Sequence, residues 1–385
     1  MLNKNINFRN FKTNLNTNNV KKKFKLLLNE DNQILKSLSK NYKYNFNDKI
    51  IKKFKKYNNF RLIGMGGSSL GTKAIYNFLK HKIKPKFEFI NNLDSSHFIL
   101  EKKKSVNIVV SKSGNTVETI ANVNILIKRK SDNIFITENK KSSLYLLAEK
   151  LKADIVHHNN YIGGRYSVLS EVGMLPADLM GLKSKNFKQF NMLIKNKKFV
   201  NSLISNVSSI LYFVKQKKFN SIIINYDERS QDFFNWYQQL VAESLGKHKK
   251  GILPIISNMP KDNHSVMQLY LDGFRNNFYT FFHVDEKKSP KINKDYIYET
   301  HKYLKNKSIS QISNAQKLAS EKVFQLKKIP FRSFDLKKRD EKILGELFSF
   351  FILETILLGK CLNLNPYDQP AVELIKTKTK SLLIS

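Results

Sequence analysis

The sequence predicts an α/β protein of two doubly wound domains in tandem, each a mainly parallel sheet flanked by helices. Three observations predict it. Short apolar runs alternate with longer amphipathic segments, the pattern of a sheet covered on both faces. The alternation starts near residue 58, pauses at a helical bridge at about 186–217, and starts again near residue 221. Two of the early apolar runs end in turns rich in glycine and serine, at the strand ends where open α/β sheets hold ligands.

Taken in order, residues 1–47 are rich in Asn and Lys and read as a helical arm. Its amphipathic stretch runs from Phe24 to Leu38, with Leu26, Leu27, Leu28, Ile34, Leu35 and Leu38 as apolar positions. A first domain over 48–190 follows. Strands are expected at 60–63, 87–90, 106–110, 133–137 and 153–156, and helices at 70–79, 117–127 and 144–151. A second domain over 191–385 repeats the pattern, with strands at 221–225, 251–256 and 278–283. Helices are expected at 231–245, 264–271, 308–328 and 342–361, then a C-terminal segment after Pro370.

The 385 residues are 41% hydrophobic, enough for the cores of two or three domains. Cys361 is the single cysteine, so no intramolecular disulfide can form, and a reducing, cytoplasmic setting is expected. Met1-Leu2-Asn3-Lys4-Asn5 opens no apolar run of the secretory type. The longest apolar stretch, Leu347 to Leu358, is interrupted by Glu354 and falls short of the roughly 20 residues of a membrane span. It reads as a buried helix, and no membrane association is expected.

The formal net charge is +37, from 68 Lys+Arg against 31 Asp+Glu. A charge of that size attracts polyanions. The lysines are spread evenly, often beside asparagines, as in Lys21-Lys22-Lys23, Lys102-Lys103-Lys104 and Lys287-Lys288. Even spread indicates a solvated basic surface, and no specific nucleic-acid partner is expected. The field still favours an anionic small substrate.

Gly64-Met65-Gly66-Gly67-Ser68-Ser69-Leu70-Gly71 follows a strand and opens a helix. Glycines there admit an anion close to the backbone, and the helix start offers N–H groups and the positive dipole end. The spacing fits neither a dinucleotide fingerprint, since the sixth position from Gly64 is Ser69, nor a P-loop. Ser111-Lys112-Ser113-Gly114-Asn115-Thr116 makes a second turn of this kind. Two hydroxyl-bearing strand-to-helix turns suit a phosphate monoester better than a nucleotide.

These motifs and four more, in order, resemble the phosphoglucose isomerase family, built from two sugar-isomerase (SIS) domains. The four are Gly163-Gly164-Arg165-Tyr166-Ser167, the run Trp236 to Lys247, the run His264 to Gly273, and Asn365-Pro366-Tyr367-Asp368-Gln369-Pro370 continuing to Lys376. The chain departs from the family at Gly114-Asn115 and at Ile375, where a glycine is usual. The resemblance implies reversible isomerisation of glucose 6-phosphate to fructose 6-phosphate through an enediol(ate), with no metal or redox cofactor. Alternatives are an SIS isomerase also acting on mannose 6-phosphate, and a non-catalytic sugar-phosphate or nucleic-acid binding regulator.

The resemblance also assigns residues. Glu243 is the expected base, a carboxylate able to carry a proton between adjacent carbons. Arg165 is the expected stabiliser of developing oxyanions, since guanidinium stays charged. His264 and Lys376 are the expected ring-opening pair. Gly67, Ser68, Ser111, Ser113, Thr116, Gln238 and Gln369 are the expected substrate-binding residues. The histidine of relatives reaches the neighbouring subunit, which implies a homodimer with shared active sites.

Overall fold

The computed structural model describes residues 5–95, 105–128 and 131–384; the Lys102-Lys103-Lys104 run lies outside them. The described residues form two five-stranded sheets. In chain order the strands are β1 (Ile6–Arg9), β2 (Asn59–Ile63), β3 (Lys86–Ile90), β4 (Val106–Val110), β5 (Asn133–Thr137), β6 (Asp154–His157), β7 (Asn220–Asn225), β8 (Leu253–Asn258), β9 (Asn277–Val284) and β10 (Phe331–Leu336). The first sheet has the order β3-β2-β4-β5-β6 and is parallel throughout. The second has the order β1-β10-β9-β7-β8 and is parallel except for β1, which runs against β10 with Ile6 opposite Leu336.

Every strand expected from the sequence is present, its ends within about two residues of the expected ones. β4 and β5 are buried along their whole length, as their mostly apolar sequences require, with Asn107 Nδ2 donating to Asn133 Oδ1 at 2.9 Å between them. Two strands escape the sequence pattern. β10 reads Phe-Arg-Ser-Phe-Asp-Leu, with polar residues where a central strand ordinarily has none. The charges are paired: buried Arg332 donates to Glu354 within the core, and buried Lys317 donates to the part-buried Asp335. β1 lies in the Asn-rich arm, where four residues give too short a pattern to stand out.

The arm is therefore more than helical. Its strand β1 extends the second sheet, while Tyr42 Oη and Asn45 N donate to Glu171 at 3.0 and 3.2 Å beside the first. Its amphipathic stretch is two helices, Asn18–Leu28 and Gln33–Leu38. They are separated because Asn32 caps the second, accepting from Ile34 N at 2.8 Å and Leu35 N at 3.3 Å. We propose the domain limits 48–190 and 191–385 around the two sheets.

The helix Glu341–Cys361 holds the Leu347 to Leu358 run and is buried through nearly all its length. No described helix is long and apolar enough to cross a membrane. Gly345 lies so close to the helix Ser184–Phe187 that a Cβ would sit 2.0 Å from Phe187 O. The helices Leu70–Phe78 and Gln231–Leu245 join the two halves. Lys73 pairs with Asp232 at 3.3 Å, and Trp236 Nε1 donates to Arg165 O at 3.0 Å. One hydrophobic cluster runs through both sheets, including Leu62, Ile108, Trp236, Phe282 and Phe348. That continuity fixes the helix Gln231–Leu245 against the strand-end turns of the first sheet.

Candidate active site

β2 and β4 are neighbours whose following connections leave to opposite sides of the sheet, since β3 lies beyond β2 and β5 beyond β4. The crevice at their carboxyl ends is the switch point of the first domain. Both glycine–serine turns open there. After β2 the chain makes a 3-10 turn over Gly66–Ser68, with Gly66 at φ +52°. A side chain at Gly66 would meet Gln239 Nε2 at 2.8 Å, and a Cβ on Gly67 would lie 2.1 Å from the Gly164 carbonyl carbon. Glycine here lets two backbone turns from distant parts of the chain touch.

After β4, Gly114 takes φ +64° against Ser142, whose Oγ would lie 1.9 Å from any Cβ. Asn115 acts locally. Its Oδ1 accepts from Ser143 N at 3.0 Å, tying the turn to the next helix. Ser113 and Thr116 line the crevice. Ser111 is buried behind them, 3.1 Å from Thr116 Oγ1, so it supports the turn and does not line the cleft.

The cleft is about 390 Å³ and joins these turns to three other segments. Gly164 and Arg165 come from the turn after β6; Gln239 and Glu243 from the helix Gln231–Leu245; Gln369, Glu373 and Lys376 from the C-terminal segment. Glu243 is 28% exposed, and its Oε2 lies 3.5 Å from Arg165 Nη1 and 3.2 Å from Gln239 Nε2. Lys112 and Glu138 face the same space, 3.5 Å apart.

Arg165 is 1% exposed and heavily bonded. Nε donates to Ser244 Oγ at 2.8 Å, and Nη1 donates to Gln369 Oε1 at 2.7 Å. Nη2 donates to Pro366 O at 2.7 Å and Asp368 O at 3.1 Å. Tyr166 Oη donates to Pro366 O at 2.9 Å. Lys247 pairs with Asp368 at 2.6 Å, holding that carboxyl below the usual carboxylate range. The guanidinium therefore both fixes residues 366–369 and turns Nη1 towards Glu243.

Of the residues expected from the sequence, Gly67, Ser68, Ser113, Thr116, Arg165, Glu243, Gln369 and Lys376 line this one cleft. Gln238 does not. It is exposed on another side of its helix and donates to Pro254 O at 2.9 Å. Five residues separate it from Glu243, about 140° around a helix; Gln239 is four away, about 40°, and shares the cleft face. Helical spacing was the signal for Gln239. Its Oε1 is buried and has no hydrogen-bond partner among the described residues. Lys376 sits on the exposed helix Val372–Ile384, its Nζ 2.6 Å from Glu373. His264 ends a 3-10 turn after β8, exposed to solvent, and does not line the cleft of its own chain.

A family model described as phosphoglucose isomerase matches residues 33–259. The glucose-6-phosphate isomerase of Methanocaldococcus jannaschii is 33% identical over 344 residues, which cover 82% of each chain. That of Campylobacter jejuni is 31% identical over 348 residues, 85% of this chain and 86% of its own. Among solved structures, a hypothetical protein from Thermus thermophilus has a TM-score of 0.83 at 22% identity, covering 96% of this chain and 95% of that one. A glucose-6-phosphate isomerase from Chlamydia trachomatis has a TM-score of 0.72 at 19% identity, covering 87% and 71%. These two likenesses establish the fold, a pair of SIS-type doubly wound domains.

Proposed function

We propose that this chain, which belongs to the phosphoglucose isomerase family, interconverts D-glucose 6-phosphate and D-fructose 6-phosphate. The observation that carries the reading is the meeting of Glu243, Arg165 and two hydroxyl-bearing turns in one cleft. The relatives' shared name, glucose-6-phosphate isomerase, supports the aldose, and fructose 6-phosphate is its ketose isomer.

In this reading the phosphate lies against Ser68, Ser113 and Thr116, with Lys112 supplying charge. Gln239 and Gln369, which line the cleft, hold the sugar hydroxyls. Once the ring is open, Glu243 takes the proton from carbon 2. The C–H electron pair becomes the carbon 1–carbon 2 double bond, and the carbonyl electrons move to the carbon 1 oxygen. A proton passes from the carbon 2 hydroxyl to the carbon 1 oxygen. The electrons left on the carbon 2 oxygen form the carbonyl there, and the double-bond pair takes up, at carbon 1, the proton that Glu243 carries, exchanged in part with solvent. Arg165 Nη1, beside Glu243, sits where negative charge gathers on the two oxygens. His264 and Lys376 carry protons to and from the ring oxygen and the carbon 1 hydroxyl.

His264 lies away from its own cleft, which favours delivery to a second copy, so we read the working unit as a homodimer with shared sites. We place it in the cytoplasm, in sugar-phosphate breakdown and synthesis.

The test is proton NMR of fructose 6-phosphate with the enzyme in deuterated water. Deuterium entering carbon 2 of glucose 6-phosphate is expected. Turnover without label, or label with no glucose 6-phosphate formed, would remove the enediolate route or the reaction itself.

A further inference from the structure

We propose that the protein carries a second small-molecule site, for a planar aromatic anion of the nucleoside monophosphate class. It lies between the N-terminal arm and the amino end of β10. The cavity there is about 560 Å³, larger than the catalytic cleft, and shares no residue with it. That volume falls in the range of small-ligand sites, roughly 300–1,000 Å³.

The walls are apolar and held in place. Phe11 and Phe213 meet edge to face at 4.9 Å, and Phe213 is stacked on Phe278 at 5.6 Å. Ile329 and Phe331 complete the walls at the turn into β10. Phe11 and Phe213 are nearly fully buried and form a fixed floor, while Tyr212, 38% exposed, and the half-buried Phe331 give the cavity its accessible ring surface. Binding to a preformed wall of this kind avoids the cost of ordering it.

The mouth is cationic. Lys12 and Lys328 line it, and among the described residues their ammonium groups make no ion pair or hydrogen bond. Arg9 is also at the rim, but its guanidinium is held by Glu321 at 2.6 Å and Asp335 at 3.2 Å. Lys317 pairs with the same two carboxylates. The nearby acids are thus satisfied from inside, and among the described residues no aspartate or glutamate lines the cavity. What remains is an aromatic pocket beneath two uncompensated positive charges. A bare phosphate would leave the rings wet, and a neutral base would leave the lysines unpaired. A base carrying a phosphate engages both.

The experiment is calorimetric titration of the full chain with adenosine 5′-monophosphate, adenosine and inorganic phosphate. Fructose 6-phosphate is present at saturation to fill the catalytic cleft. One site is expected for the nucleotide, at least about tenfold tighter than for adenosine or phosphate. The exposed double variant K12E/K328E is expected to weaken it a further tenfold or more. Circular dichroism checks that the variant is folded. Three results would each overturn the proposal: no saturable binding, affinity no better than that for phosphate, or unchanged affinity in the double variant.

Discussion

Glu243 is tied to its neighbours through one carboxylate oxygen, which accepts from Gln239 and faces Arg165, so an amide at this position keeps the shape and loses the base. Glu243→Gln is expected to lower kcat by about 10³ while fructose 6-phosphate affinity stays within about twofold. A coupled assay and calorimetry check both; near-normal turnover would remove the base assignment. A second residue bears on stability. His158 is 2% exposed, and neither ring nitrogen has a hydrogen-bond partner among the described residues. Burial, helped by the charge of Lys112, lowers its pKa to about 3. In the unfolded chain it titrates near 6.5. Between these values the unfolded state binds the extra proton, so the stability it contributes is whole above pH 6.5 and is lost as pH falls towards 3. The full loss is roughly 5 kcal/mol. His158→Phe is expected to move acid unfolding, followed by circular dichroism, to lower pH; an unmoved midpoint would contradict this. Single residues were unevenly legible in the sequence. Glu243 and Arg165 stand in motifs, whereas Gln239 is marked only by its helical spacing, four residues before Glu243. Ser111 could not be told from Ser113 without knowing which hydroxyl faces the cleft.

Among elements, those with a clean period were legible and those with buried charge were not. β4, apolar but for Asn107, and the helix Glu341–Cys361, whose run from Leu347 to Leu358 is broken only at Ser349, Glu354 and Thr355, declare themselves by composition. β10 hides because Arg332 and Asp335 look like surface residues until Glu354 and Lys317 are known to meet them. The segment 365–369 was legible as a motif, but its mechanical part was not. It has no regular structure to hold it and depends on Arg165, Tyr166 and Lys247, all from earlier in the chain. Lys247 is 7% exposed in its side chain and grips Asp368 and the Asn365 carbonyl. Lys247→Met is therefore expected to loosen Gln369 and Lys376 and to lower kcat/KM by roughly ten- to a hundredfold, since small misplacements near a reacting centre are costly. The urea midpoint is expected to move little, because the hydrophobic cluster is untouched. Full activity in this variant would show that the segment is positioned without Lys247.

On the scale of the whole molecule, one chain brings Glu243, Arg165 and two hydroxyl-bearing turns into one cleft, yet leaves His264 on a solvent-exposed turn elsewhere. The sequence predicts the histidine as a member of the site but carries no sign of which copy's site it enters, because symmetry is not written in a single chain's periodicity. If His264 of each chain serves its partner's cleft, two dead variants can repair each other. A Glu243→Gln chain beside a His264→Asn chain has one site with both lesions and one with neither. Random pairing makes half of the dimers mixed, and each mixed dimer keeps one of its two sites, so about a quarter of wild-type activity should return. The measurement is co-refolding or co-expression of the two variants, followed by a coupled assay per site. Each variant alone must be inactive for the arithmetic to hold. Recovery near a quarter requires a shared site, because histidine acting within its own chain would leave every site in the mixture with one lesion and no activity to regain.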